Sequence, residues 1–467
     1  MTASYSQPRP DRGHLRASIA WGATAIVFAG LFSQDLLAYL CVAIPVLIPA
    51  FLWLRVNGRG VPVLPIVSGL YFVYYAIPIL RGEASAYGHD EVLDAAATVG
   101  SFLVAASIAS WPFLRRPIGN VQPFRPNPQC VRVAFVGLGA GLVYYLAALL
   151  GDLFWLGSFL GLVRAMMLTL ATLGCFFLGC ARAWGFLVGK RWALALGAFL
   201  TLILLSMAGL LLIEGTIMVL AAFVGYALTA KRLPWATFAL VFAVLTVLQA
   251  GKNEMRRLYW TGEPAPEGPA GISQMPDMMF AWIGMGVNTL MGETSGETSA
   301  SDPGLLERTS LLHLVLLVQS TTPDSIPYLD GETYAILPST IIPRFLDPEK
   351  TENQSPLRLL SIRYNLDSAY DPSTSIGWGL IAEAYANFGR LGVIVIGAII
   401  GGICGALMRL SIGASTMSSP MLVTIASTAV LMNLEATFAN LLTALAQSAA
   451  AAFVVAEILK FDRRQKR

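Results

Sequence analysis

The sequence predicts an all-α polytopic membrane protein with about twelve transmembrane helices and one large extracytoplasmic loop. Three observations predict it. The chain of 467 residues has a mean hydropathy of +0.65 and only 13% charged residues. Apolar runs of about 20 residues recur along it, the length a helix needs to cross roughly 30 Å of hydrocarbon. Outside one long segment, the lysines and arginines collect in alternate loops.

Taken in order, residues 1–16 (MTASYSQPRPDRGHLR) form a polar tail with Arg9, Arg12 and Arg16. No small-residue cleavage site precedes a short apolar core, so the tail reads as cytoplasmic and not as a cleaved signal peptide. Residues 17–250 hold about nine helices, at 17–34, 36–54, 61–80, 95–114, 131–151, 160–181, 192–213, 215–230 and 233–250. Residues 251–390 form the large loop. Residues 391–459 add about three helices, at 391–410, 420–434 and 438–459, before the tail 460–467. With the N-terminus inside, inner loops hold such residues as Arg55, Arg115, Arg182, Lys190 and Arg409. Outer segments apart from 251–390 hold only Arg81 and Arg164. Both termini are therefore expected in the cytoplasm.

Several function classes recede. A net charge of +3 gives no footprint for nucleic acid. The five cysteines fit neither a disulfide framework nor a zinc site. No Walker A, G-x-S-x-G or H-E-x-x-H motif is present. Nine helices before the loop and three after it lack the matched halves of many secondary transporters.

The loop concentrates the candidate chemistry. Loops this long inside a compact protein are usually functional or disordered. Here 276–291 and 305–319 read as amphipathic or partly immersed helices in a loop pressed on the membrane, with flexible connectors at 262–271 and 292–304. In GKNEMRRLYW (251–260), Lys252, Arg256 and Arg257 stand beside Tyr259 and Trp260. The cluster is either an interfacial anchor or a holder of lipid pyrophosphate, since guanidinium matches phosphate oxygens bidentately. Arg308 precedes an apolar run and is costly at membrane depth unless it faces a polar cavity. His313 follows within that run, as a ligand or an ordinary core histidine.

In GETYAILPSTIIPRFLDPEK (331–350), prolines stiffen the backbone around Arg344 and Lys350. Arg344 meets either a substrate phosphate or the neighbouring Asp347 and Glu349. In SIGWGLIAEAYANFGRLG (375–392), Glu383 and Asn387 share one helical face at i,i+4 spacing. Glu383 is a candidate general base or a partner for an arginine. Glu214 and Glu435 read as loop-end acids, with a proton or substrate role as the alternative.

Together, GKNEMRR, Arg308, GETYAILPSTIIPRFLDPEK and GWGLIAEAYANFG before a glycine-rich span resemble the O-antigen polymerases, the Wzy-type oligosaccharide repeat-unit polymerases. The resemblance covers residues 251–402. Its matching positions are Lys252, Arg256, Arg308, Tyr334, Pro343, Arg344, Pro348, Lys350, Glu383, Asn387 and Gly389; Thr351 stands where the family often has a second proline.

The resemblance implies a GT-C-like glycosyltransferase at the outer face of a bacterial inner membrane, in O-antigen, exopolysaccharide or capsule biosynthesis. It would join undecaprenyl-pyrophosphate-linked repeat units with no cofactor, and no nucleotide site is needed, because the donor is already activated by its lipid pyrophosphate. No metal is expected, because the first outer loop is only Gln34-Asp35. In the second outer loop, His89-Asp90-Glu91 is a weak match for the paired acids of metal-dependent enzymes. Arg256, Arg257, Arg308, Arg344 and Lys350 would meet the leaving pyrophosphate. Glu383 would take the proton of the attacking hydroxyl, and Asn387 and Tyr334 would position sugars. Partners would be membrane lipid and the chain-length regulator and flippase of the same pathway. The alternatives are an O-antigen ligase, a transporter of lipid-linked saccharides and a scaffold of an export complex.

Overall fold

The structure, a computed structural model, describes residues 12–115, 126–151, 153–210, 212–230, 232, 234–260, 274–291, 310–342, 347, 355–366 and 376–465. Among these residues the regular structure is entirely helical. In chain order the helices are α1 (Arg12–Ala29), α2 (Leu36–Arg55), α3 (Val63–Leu80, with a π turn at Phe72–Ala76) and α4 (His89–Leu114). Then come α5 (Gln129–Leu149), α6 (Leu160–Ala183), α7 (Gly189–Met207), α8 (Leu212–Ala230), α9 (Trp235–Trp260) and α10 (Met275–Met291). The last are α11 (Leu311–Thr321), α12 (Glu332–Ala335), α13 (Leu337–Ile341), α14 (Ser355–Arg363), α15 (Gly379–Ser411), α16 (Ser419–Leu431) and α17 (Phe438–Gln465).

Ten of these helices are long and apolar enough to cross a membrane, so the chain is a multi-pass membrane protein. They correspond to ten of the twelve expected spans. The other two are present as shorter apolar helices, Arg16–Phe32 and Ser419–Leu431. The second stops early because Asn433 and Glu435 put polar groups where the expected span would continue.

The chain divides into two units. In the first, comprising Met1–Asp11 and Pro126–Ser301, helices approach at glycine. A Cβ on Gly179 would lie 2.0 Å from the Ala222 carbonyl oxygen, so α6 and α8 touch through their backbones. α9 and α10 pack in the same manner at Gly251 and Gly286. The fully buried Trp282 donates its indole N–H to Leu248 O at 2.7 Å.

The second unit, Arg12–Arg125 with Asp302–Arg467, is organised around α4 and α15. Gly397, Gly401 and Gly405 meet Phe102, Ala106 and Ser110 in turn, so the two helices run parallel. A Cβ on Gly401 would fall 2.1 Å from Ala106 O, a separation only glycine permits. Two boundaries differ from the sequence expectation. α4 starts at His89 and not 95, because the Glu91 carboxylate accepts the Gly88 N–H at 3.0 Å and closes the first turn. α15 starts at Gly379 and not 391, because its polar residues find partners inside the unit.

α11 is buried more fully than the amphipathic or partly immersed helix expected at 305–319. Leu311 to Leu316 are all buried, against α4 and α15. Its polar residues are bonded internally. Gln319 Nε2 donates to Asp94 at 3.0 Å and Thr98 at 2.9 Å, and His313 Nε2 meets Glu83 O at 3.1 Å. With those bonds made, the first turns of the helix are buried.

Candidate active site

The site grows from the first turns of α15. Gly379 opens the helix at φ +69, and its N–H donates to Glu435 O at 3.3 Å. One turn on stands Glu383, with 0% of its surface exposed. Its Oε2 accepts the backbone N–H of Phe438 at 2.6 Å. Phe438 is the first residue of α17, so the carboxylate of one helix caps the N-terminus of another. Oε1 of Glu383 is buried without a hydrogen bond of good geometry among the described residues, although the Thr333 hydroxyl lies near enough to the carboxylate to act on it. A buried carboxylate oxygen so poorly bonded is costly, so its persistence asks for an explanation.

Asn387 lies one further turn along and is likewise 0% exposed. Its Nδ2 donates to Glu383 O at 2.8 Å and Thr333 Oγ1 at 2.9 Å, and its Oδ1 accepts from Gly331 N at 3.1 Å. Both amide protons are thereby used. Asn387 ties the Gly331–Thr333 turn to α15, and Leu329 N donates to Ala386 O at 3.0 Å just upstream. Gly331 sits at φ +94, a left-handed conformation that costs glycine nothing.

α15 then breaks at Phe388 and Gly389. Gly389 takes φ 61, ψ −153, a region open essentially to glycine alone. The break presents the Phe388 ring to Tyr334, stacked with centroids 5.9 Å apart and planes 5° apart. Tyr334 also meets Phe438 edge to face at 5.3 Å. Its hydroxyl is buried and has no partner among the described residues. Burial, and secondarily the Glu383 carboxylate, raise its pKa well above the ordinary tyrosine value, so it stays a neutral donor.

The link between α16 and α17 forms the other wall. Asn433, Thr437 and Asn440 each bury a side-chain oxygen without a hydrogen-bond partner among the described residues. Thr443, farther down α17, donates to Thr340 Oγ1 at 3.0 Å. The site is thus an open-sided carboxylate, a neutral phenol and several amide and hydroxyl oxygens, walled by aromatic rings. Such a set suits a ligand rich in hydroxyls.

Of the residues singled out in the sequence, the structure brings Glu383, Asn387 and Tyr334 together. His313 lies in α11, bonded to the 81–88 turn and against the Tyr87 ring at 6.0 Å. Lys252 lies near the end of α9 in the first unit, with Arg256 and Arg257 following on the same helix. The side chains of those two arginines, and all of Arg308, Arg344 and Lys350, lie outside the described residues. Sequence reasoning missed Thr333, Phe388, Phe438, Thr437 and Asn440. The signal for the last two was the polar spacing in MNLEATFAN, between two apolar runs.

Residues 309–456 match the family described as O-antigen polysaccharide polymerase Wzy. The match runs from α11 into α17 and contains Tyr334, Glu383 and Asn387. No curated protein and no solved structure matches the chain. The family match supports a polymerase role in polysaccharide biosynthesis.

Proposed function

From the premise that the chain is of the Wzy type, we propose that it polymerises undecaprenyl-pyrophosphate-linked oligosaccharide repeat units at the periplasmic face of the inner membrane. The observation that carries the reading is the buried Glu383 carboxylate, anchored by one oxygen to Phe438 N and open at the other. A hydroxyl of the incoming repeat unit donates to Oε1. As that hydroxyl oxygen bonds to the anomeric carbon of the donor, its proton passes to the carboxylate. The bond from the anomeric carbon to the phosphate oxygen breaks, and undecaprenyl pyrophosphate leaves with the electron pair.

Arg344, with Arg308 and Lys350, is assigned to the charge that develops on that pyrophosphate; cations of this kind match phosphate oxygens in shape and charge. Lys252, Arg256 and Arg257 are assigned, from residue type alone, to a lipid pyrophosphate. Asn387, whose amide protons are committed within the protein, acts here as a positioning residue for Glu383 and the Gly331–Thr333 turn and not as a sugar ligand. The positive bias of the short loops supports cytoplasmic termini with the large loop outside, where its cations are an exception that a phosphate-bearing substrate would explain.

The test is made in cells that produce the polysaccharide. Glu383→Gln and Arg344→Ala chains that reach the membrane normally are expected to leave single lipid-linked repeats unjoined. Normal glycan length in both variants would overturn the assignment. Repeats stranded on the cytoplasmic leaflet would point to a transporter.

A further inference from the structure

We infer that the link between α16 and α17 is a carbohydrate subsite, with Glu435 binding adjacent hydroxyls of the sugar; this rests on the polymerase reading. The link is fixed to the first turns of α15 by two hydrogen bonds, Gly379 N to Glu435 O and Phe438 N to Glu383 Oε2. It is therefore held in register with the acid it faces. Three buried oxygens along it, Asn433 Oδ1, Thr437 Oγ1 and Asn440 Oδ1, have no hydrogen-bond partner among the described residues. Thr437 is 0% exposed. Buried polar atoms are nearly always bonded, so three orphans within eight residues mark a place where donors arrive from a ligand.

Glu435 stands in the middle of this set. Its side chain is half-buried and makes no ion pair or hydrogen bond with any described residue. It is seated by Gly377, where a Cβ would come within 2.6 Å of Glu435 Cβ and 3.1 Å of its Oε2. A side chain at 377 would fill that seat. Tyr74 of α3 lies close enough to feel the Glu435 charge, and the Tyr334 and Phe438 rings stand beside the same link.

The chemistry selects the sugar and not the pyrophosphate. A carboxylate accepts two hydrogen bonds in one plane, which matches neighbouring hydroxyls on a ring. Amide and threonine oxygens add further acceptors, and aromatic rings cover apolar sugar faces. Among the described residues, Glu435, Asn433, Thr437 and Asn440 offer the link acceptor oxygens, which fit the hydroxyls of the repeat unit and repel a phosphate.

The test uses the full chain in lipid nanodiscs. Its probes are the repeat-unit oligosaccharide, released by mild acid from the carrier lipid of cells lacking this protein, and inorganic pyrophosphate. Glu435→Ala is expected to weaken oligosaccharide binding about tenfold, and Glu435→Gln by less, because the amide keeps one acceptor. Asn440→Ser provides a second variant, expected to weaken it several-fold should Glu435→Ala fold poorly. Pyrophosphate binding is expected to be unchanged in all three. Wild-type oligosaccharide affinity in both Glu435→Gln and Asn440→Ser, or a change confined to pyrophosphate, would overturn the inference. So would a wild-type chain that joins lipid-linked repeats yet does not bind the oligosaccharide. A wild-type chain that cannot join lipid-linked repeats would instead overturn the polymerase reading itself.

Discussion

Glu214 and Glu383 each stand near the start of an apolar helix, and their surroundings treat them in opposite ways. Glu214, in the first turn of α8, has both oxygens bonded: Tyr145 OH donates to Oε2 at 2.6 Å and Arg164 to Oε1 at 2.9 Å. Glu383, more deeply buried, has one backbone donor and one open oxygen among the described residues. The first is a closed polar cluster that joins α5, α6 and α8. The second has only the Phe438 N–H and the nearby Thr333 hydroxyl to serve it, and no counter-charge among the described residues. An acid whose partners are complete serves the fold; an acid held dry and incomplete is a candidate for chemistry.

The comparison is broken most directly by exchanging charge for amide at both positions. Glu383→Gln removes the proton acceptor while keeping size and the Phe438 contact. Joining of repeats is expected to fall at least about a hundredfold, as for loss of a general base. Glu214→Gln is expected to keep most of that activity. Product length on gels reads both, and comparable losses would erase the distinction.

Asn387→Ala comes next in size. It removes three hydrogen bonds and releases the Gly331–Thr333 turn from α15. We expect about a tenfold loss of polymerisation, with a lowered melting temperature, because buried partners are left unpaired at roughly 1–3 kcal/mol each. Unchanged activity and stability would show that Glu383 needs no such support.

Glu214→Gln should lower the melting temperature by about a few degrees, since Arg164 keeps an uncharged acceptor but loses its counter-charge. A variant as stable as the wild type would remove the structural role given to that cluster. Smallest in stability is Tyr334→Phe. Its hydroxyl bonds no described residue, and both ring contacts survive the change. Thermal stability is expected to hold within about 1 kcal/mol while polymerisation falls, which separates a ligand-facing hydroxyl from a structural one.

Much of this fold is legible in the sequence, because runs of about 20 apolar residues have few other uses. Boundaries fail where polar residues are satisfied inside helices. His89-Asp90-Glu91 looked like loop, yet Glu91 closes the first turn of α4. Glu383 and Asn387 looked like residues before a span, yet both lie within α15. The pairing of Glu383 with Asn387 on one face was readable from spacing alone. Its partner Phe438 was not, because a contact between residues 383 and 438 leaves no local signature. Likewise Gly389 was visible as a glycine, but its left-handed break and the stacking of Phe388 on Tyr334 emerge only from packing.

The central claim is that Glu383 is the reactive acid and Glu214 a structural one. It is tested most directly by supplying lipid-linked repeat units to purified wild-type, Glu383→Gln and Glu214→Gln chains in nanodiscs, and measuring the mass of the lipid-linked products. The expected result is single repeats with Glu383→Gln, and polymer with Glu214→Gln and the wild type. Polymer of wild-type length from the Glu383→Gln chain would contradict the claim.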